Sequence, residues 1–259
     1  MDTSRTLGID IGGSGIKGAI VDVRSGELIT ERHRIPTPQP ATPASIGSTL
    51  RELVRFFNWD RPIGCTFPAI IDRGYARSAA NVHESCMDAN LGRIFSDATG
   101  CDLVVLNDAD AAGIAEYKFG AAHGHAGLVV LLTLGTGIGS AVLVDGKLLA
   151  NTEFGHLEFR GGLAEHFASN RAREEEDLDW PKFAERVSAF LAYVGQTLNP
   201  DLFILGGGVS KKSEAPFWMP LLSSETPVVA AELGNEAGIV GAAVAASHGV
   251  KCEGRIRPF

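Results

Sequence analysis

The stretch LGIDIGGSGIKGAIVD, residues 7–22, decides the fold. Leu7 to Ile11 reads as an apolar strand carrying one acid, Asp10. The chain then passes through Gly12-Gly13-Ser14-Gly15 and resumes as a β-rich run from Ile16 to Val23. Glycines belong where the backbone turns through positive φ or must approach a ligand closely. A tight glycine turn bares consecutive N–H groups, and such a nest holds phosphate oxygens. Asp10, at the mouth of the turn, is placed to hold a cation or its waters against those phosphates. Two alternatives stand at this point. Gly13-x-Gly15-x-x-Gly18 matches the dinucleotide fingerprint, which requires a helix next; Ile16, Ala19, Ile20 and Val21 favour a strand instead. A tight hairpin with no ligand is the other.

Working outward, residues 128–145 restate the same pattern. The apolar run VVLLTL meets Gly135-Thr136-Gly137-Ile138-Gly139, and a second strand returns through Ser140 to Val144. Two phosphate-type hairpins, each opening its own strand-and-helix unit, predict a duplicated architecture with a cleft between the halves. That is the geometry of a transferase holding a phosphoryl donor between two lobes.

The intervening chain supplies the units. A third strand is expected over Glu27 to Ile35 and an amphipathic helix over Ser45 to Phe57, with Ile46, Leu50, Leu53, Val54 and Phe57 at helical spacing. A strand is expected over Ile63 to Ile71, then a polar, irregular segment from Ala79 to Gly92. Asp102 to Leu106 reads as a buried strand ending at Asn107-Asp108, and Ala109 to Tyr117 as a helix. The clearest helix spans Asp177 to Asn199, with Asp179 as its cap and Pro181 in its first turn. Leu202 to Leu205 is a buried strand running into Gly206-Gly207-Gly208. Ala237 to Ser247, rich in small residues, reads as a closely packed helix behind a third glycine turn at Leu233-Gly234-Asn235.

Composition narrows the function classes. At 259 residues the chain suits one large domain or two modest ones. Its net charge of −8 argues against nucleic acid, which calls for a basic face. Cys65, Cys86, Cys101 and Cys252 form no Cys-x-x-Cys pair, so neither a zinc site nor a disulfide framework is expected. With no apolar targeting core and no run of membrane-spanning length, the expectation is a soluble, cytoplasmic protein without membrane partners.

Two clusters carry candidate chemistry. Asn107-Asp108 lies where a strand gives way to a helix, the position of working groups in α/β proteins. Helix capping is the structural alternative, but one residue satisfies it. Asp110 equally suits the first-turn dipole. The second cluster, NTEFGHLE at 151–158 followed by Glu165-His166, interleaves carboxylates and imidazoles with glycine and can grip several hydroxyls of a sugar. Zinc on His156, His166 and Glu153 is the rival, though the spacing fits no common zinc motif. Surface charge is a further reading for Glu158. There is no P-loop and no protein-kinase signature.

With DIGGSGIKG, LNDADAA, LTLGTGIGSA, NTEFGHLE and LGGGVSKK in one order, the chain resembles the ROK sugar kinases of the actin/hexokinase-like superfamily, and more narrowly their polyphosphate-using glucokinase branch. RIPTPQPATP, AANV and AGIVGAA support the narrower match. The resemblance covers nearly the whole chain. It implies a two-lobed actin-like (ribonuclease H-like) α/β fold with a central cleft. Residues 1–110 and a C-terminal helix at about 237–259 would form the smaller lobe, and 111–236 the larger. It implies transfer of a terminal phosphoryl group from inorganic polyphosphate, or from ATP, to the 6-hydroxyl of glucose, with Mg2+ and without zinc, in a homodimer. By the family pattern Asp108 is the general base, while Asn81, Asn107, Asp108, Glu153, His156 and Glu165 hold glucose. Asp10 would hold the metal through water. Gly12, Gly13, Ser14, Gly15, Lys17, Thr136 and Gly137 would cradle the donor's phosphates, followed by Gly207, Gly208, Lys211 and Lys212. The family's cysteine-rich zinc motif is absent, as in that branch. Cys86 stands where the branch carries Trp, and Glu214-Ala215 where a further basic residue is usual. A repressor of the same family, a non-catalytic sugar sensor and an actin-like filament former are the other classes considered.

Overall fold

The computed structural model of the chain describes residues 4–78 and 82–248. Asn81 and Cys252 lie outside the described residues. Contacts divide the chain into two units: the described residues up to Ala115 together with those from Glu236 onward, and residues 116–235.

In the first unit, β1 (Arg5–Ile11) and β2 (Ile16–Asp22) form the expected hairpin, and β3 (His33–Ile35) adds an outer strand. Strand β3 is far shorter than the expected Glu27–Ile35. Beyond an isolated bridge between Val21 and Leu28, the Thr30 hydroxyl accepts the Ile20 N–H and takes the place of a ladder bond. Helix α1 (Pro43–Phe56) starts at Thr42, whose hydroxyl accepts the Ser45 N–H, and buries Ile46, Leu50, Leu53 and Val54. Strand β4 (Ile63–Phe67) ends sooner than expected because Pro68 has no N–H to continue the ladder. A small hairpin, β5 (Ile71–Asp72) and β6 (Tyr75–Ala76), turns at Arg73-Gly74. The segment read as irregular yields to a helix, α2 (Leu91–Thr99), capped by the Asn90 side chain on Arg93 N–H and closed by left-handed Gly100. Strand β7 (Leu103–Asn107) then leads into α3 (Asp108–Phe119). The sheet order is β3-β2-β1-β4-β7, with β1, β4 and β7 parallel.

The second unit repeats this plan. Strands β8 (Leu128–Leu134), β9 (Ile138–Val144) and β10 (Lys147–Leu149) form the antiparallel side. A small hairpin of β11 (Glu158–Phe159) and β12 (Gly162–Leu163) follows, then the short helices α4 (Glu165–Ala168) and α5 (Asn170–Glu175). Helix α6 (Trp180–Leu198) is capped by Asp179, as its sequence predicts, and buries Phe183, Val187, Phe190, Leu191 and Val194. Strand β13 (Leu202–Gly206), helix α7 (Ala215–Trp218) and strand β14 (Val228–Ala230) complete the unit. The sheet order is β10-β9-β8-β13-β14, with β8, β13 and β14 parallel. Strand for strand this is the order of the first sheet, so the duplication visible in the two glycine hairpins extends to the whole topology.

Helix α8 (Ala237–Ser247) returns the chain to the first unit, almost wholly buried. Its small residues admit close backbone approach. A Cβ on Gly8 would overlap the Ile239 carbonyl, one on Gly64 the Ala242 carbonyl, and one on Gly241 the Ala111 carbonyl of α3.

Candidate active site

The first glycine turn is built from the β1–β2 hairpin. Gly12 N–H donates to Gly15 O at 3.2 Å and the Thr37 hydroxyl donates to Gly12 O at 2.5 Å, so the turn is braced from within and from the proline-rich segment that follows β3. The N–H groups of Gly13, Ser14 and Gly15 have no acceptor among the described residues, which leaves a row of donors for an anion. None of these glycines lies in the left-handed region. That part of the sequence expectation is corrected, and the reason is space. Gly13 faces open room, a Cβ on Gly12 would lie 3.2 Å from Gly15 O, and one on Gly15 would lie 2.5 Å from Arg34 Nε.

Asp10 leaves β1 directly opposite Lys17 on β2, and Lys17 Nζ lies 3.6 Å from Asp10 Oδ2. Its other oxygen accepts from the Thr66 hydroxyl at 2.9 Å, and Thr66 Oγ1 in turn accepts the Ile11 N–H. Thr66 was not anticipated. Its signal is the parallel register that sets it beside Asp10.

At the end of β7, Asn107 and Asp108 divide their duties. Asn107 Oδ1 accepts the N–H groups of Ala109 and Asp110 at 2.8 and 3.2 Å, and its amide donates to Ala69 O. Asn107 therefore caps α3, which leaves Asp108 without that task. Asp108 Oδ1 accepts the Ala109 N–H. The residue is exposed at its surface, yet the protein packed around it thins the water about its carboxyl. This desolvation pushes its pKa up to about 6; the Ala109 N–H opposes the shift and the negative charge of Asp10 adds to it.

In the second unit, Gly135 N–H donates to Gly137 O, and Gly135 O accepts the Arg171 N–H from α5. The N–H groups of Thr136 and Gly137 have no acceptor among the described residues. A Cβ on Gly137 would overlap the Glu165 carboxylate, whose Oε2 takes the Ile138 N–H at 3.4 Å. Glu165 joins the other predicted sugar contacts: His156 lies 3.9 Å from Glu165 Oε1 and 3.7 Å from Glu153 Oε2. The turn at Phe154–His156 sits so close to β9 that a Cβ on Gly155 would overlap Ile138 O, and Ser140 Oγ ties the loop through Thr152 O and Phe154 N. Thr136, Glu165, His166 and Arg171 line a cavity of about 310 Å³. Glu158 is exposed, as a surface charge is.

Beyond β13, Gly207 adopts φ 91°, and a Cβ there would overlap the Leu134 carbonyl, so only glycine fits. Gly208 begins a single turn, and Lys211 and Lys212 follow it, both exposed. Cys86 is buried in the first unit's core with Sγ 3.7 Å from Ala41 O, and burial raises its pKa, the setting of a packed and unreactive thiol. Among the described residues no three His, Cys, Asp or Glu side chains converge on a metal-sized space. Asp10 nevertheless suits a hard divalent cation, because one oxygen faces only a lysine 3.6 Å away and a second carboxylate, Asp108, adds negative charge nearby.

A profile of the ROK family matches residues 6–176. The chain is 50% identical to the polyphosphate glucokinase of Mycobacterium tuberculosis over 240 residues, covering 92% of this chain and 90% of that one. Among solved structures, the inorganic polyphosphate/ATP-glucomannokinase of Arthrobacter sp. strain KM superposes with a TM-score of 0.89 at 44% identity, covering 95% of this chain and all of that one. A ROK family glucokinase of Streptomyces griseus, solved with glucose and AMPPNP, gives 0.79 at 27% identity over 94% of this chain and 99% of that one.

Proposed function

This chain belongs to the ROK family, and on that premise we propose that it transfers the terminal phosphoryl group of inorganic polyphosphate to the 6-hydroxyl of glucose. Phosphoryl transfer needs positioning and charge stabilisation more than covalent chemistry. Asp108 takes the proton of the attacking hydroxyl; a carboxylate raised to about 6 is ionised at neutral pH yet basic enough to do so. Glu153, His156, Glu165, Asn107 and Asn81 hold the remaining sugar hydroxyls. The open N–H groups of the two glycine turns cradle the donor, while Lys17 stands 3.6 Å from Asp10 as its counter-charge. Asp10 would hold a divalent cation, Mg2+, through water; when bound, it neutralises charge on the phosphates. Gly207, Gly208, Lys211 and Lys212 are assigned to the donor as well. The reading carries a cytoplasmic homodimer, and no described helix is long and apolar enough to cross a membrane.

The observation that carries this reading is the division at the end of β7: Asn107 accepts the N–H groups of both Ala109 and Asp110, so Asp108, which shares only the Ala109 N–H, is not needed as the cap. A second reading, ATP as donor and mannose as acceptor, rests on the description of the Arthrobacter relative, which names both donors and both sugars. A coupled assay of glucose 6-phosphate formation, with Mg2+ and polyphosphate or ATP, separates the two. Polyphosphate should be used at low salt, with a KM that rises as salt screens the lysines. Ready turnover of ATP with none of polyphosphate would replace the first reading by the second.

A further inference from the structure

Strands β1, β2 and β3 carry a row of charges across the first sheet. Asp10 stands opposite Lys17, and Lys17 opposite Arg34. Residues directly opposite in antiparallel strands share a face. The first two neutralise each other at 3.6 Å. The third has no acid: no carboxylate lies within ion-pair distance of Arg34 among the described residues. In a protein with eight more acids than bases, an arginine left out of every pair is a charge in want of an anion.

Its location says which anion. Arg34 is exposed, and its Nη2 donates to Ser14 O at 2.6 Å, on the very turn whose Gly13, Ser14 and Gly15 N–H groups point to no acceptor. The guanidinium lies where a Gly15 side chain would be, with Cζ and Nη2 each 2.7 Å from the place of a Cβ. The glycine is thus kept for the arginine. A guanidinium carries five N–H donors in a fixed fork. One is engaged by Ser14 O, and the others remain to meet phosphate oxygens in the planar, two-point manner that suits them.

We propose that Arg34 binds the phosphoryl donor at the first glycine turn, adding charge-assisted hydrogen bonds to the phosphate that the backbone N–H groups hold. This rests on the reading of the chain as a polyphosphate-using kinase.

The test uses the whole protein with tripolyphosphate and long-chain polyphosphate. Arg34→Ala should lower kcat/KM for both donors by on the order of 10- to 100-fold, the range of a lost hydrogen bond to a charged group, with the KM for glucose nearly unchanged. Arg34→Lys should recover part of the loss, since a lysine supplies charge without the fork. Gly15→Ala, which displaces the guanidinium without removing it, should follow Arg34→Ala. Thermal stabilisation of the protein by tripolyphosphate, measured without glucose, should shrink in Arg34→Ala although the unliganded Tm stays that of the parent. A parental donor kcat/KM in Arg34→Ala overturns the inference, as does a loss accompanied by a fallen unliganded Tm and an undiminished tripolyphosphate shift. If the parent protein binds tripolyphosphate through Arg34 but phosphorylates no glucose, the proposed function falls and the role of Arg34 stands.

Discussion

Asp108 shows how one side chain links the fold to the chemistry. Its folded pKa of about 6 lies above the ordinary 3.8, so folding disfavours the ionised form. The sign follows from linkage: the contribution to stability is fullest below about pH 4 and is lost as pH rises through about 6. Asp108→Asn removes that cost. The variant should therefore melt higher than the parent at pH 7.5 and not at pH 4, while kcat falls by about 10²–10⁴ and sugar still binds. In the parent, kcat/KM should drop as pH falls below about 6, and the variant should lack that limb. A variant with near-parental kcat would remove Asp108 from the role of base. The pairing of Asn107 with Asp108 was legible in the sequence, because two capping residues stand where one suffices. The role of Arg34 was not legible: the motif RIPTPQPATP begins with it but carries only a family likeness, and only the register of three strands shows that Lys17 has taken its acid.

Among elements, the glycine hairpins could be read because turn and flanking β-branched residues lie within one short window. Helix α2 escaped notice for the opposite reason. Its cap, Asn90, and its stop, Gly100, are present, and Leu91, Ile94 and Phe95 have helical spacing. However, Gly92 and the polar run before it resemble loop, and packing of α2 on α1 overrides the local signal. Helix α8 was recognised as closely packed, yet the partners that require small residues are far away in sequence. Gly64 on β4 is the most confined of them, facing the Ala242 carbonyl. Gly64→Ala should overpack that contact and destabilise the protein by about 1–3 kcal/mol, read as a lower denaturant midpoint with unchanged slope. A midpoint equal to the parent's would mean that α8 sits less tightly on the sheet than described.

For the molecule as a whole, the two sheets of identical order show a repeated plan, each repeat opening with its own row of free N–H donors. Charge distribution could not be inferred from the net value of −8. A surface acidic on balance still holds Arg34 and the Lys211–Lys212 pair with no ion-pair partner among the described residues, and local fields rather than the total decide where a polyanion settles.

The route of the chain has a consequence for biosynthesis. The first unit is left at Ala115 and rejoined at Glu236, so 120 residues, 116–235, must be translated before α8 can cover β1 and β4. At about 5–20 residues per second a ribosome takes roughly 6–24 s over that stretch. During this interval the middle of the chain is free to mature as a contiguous piece, while the earlier-made sheet waits with Gly8 and Gly64 uncovered. Stalled nascent chains that expose residues only to about 235 should accordingly be cut by protease within the first 115 residues and resist within 116–235, and release of α8 from the exit tunnel should protect both. Equal resistance before and after α8 emerges would show that the amino-terminal sheet is complete without its last helix.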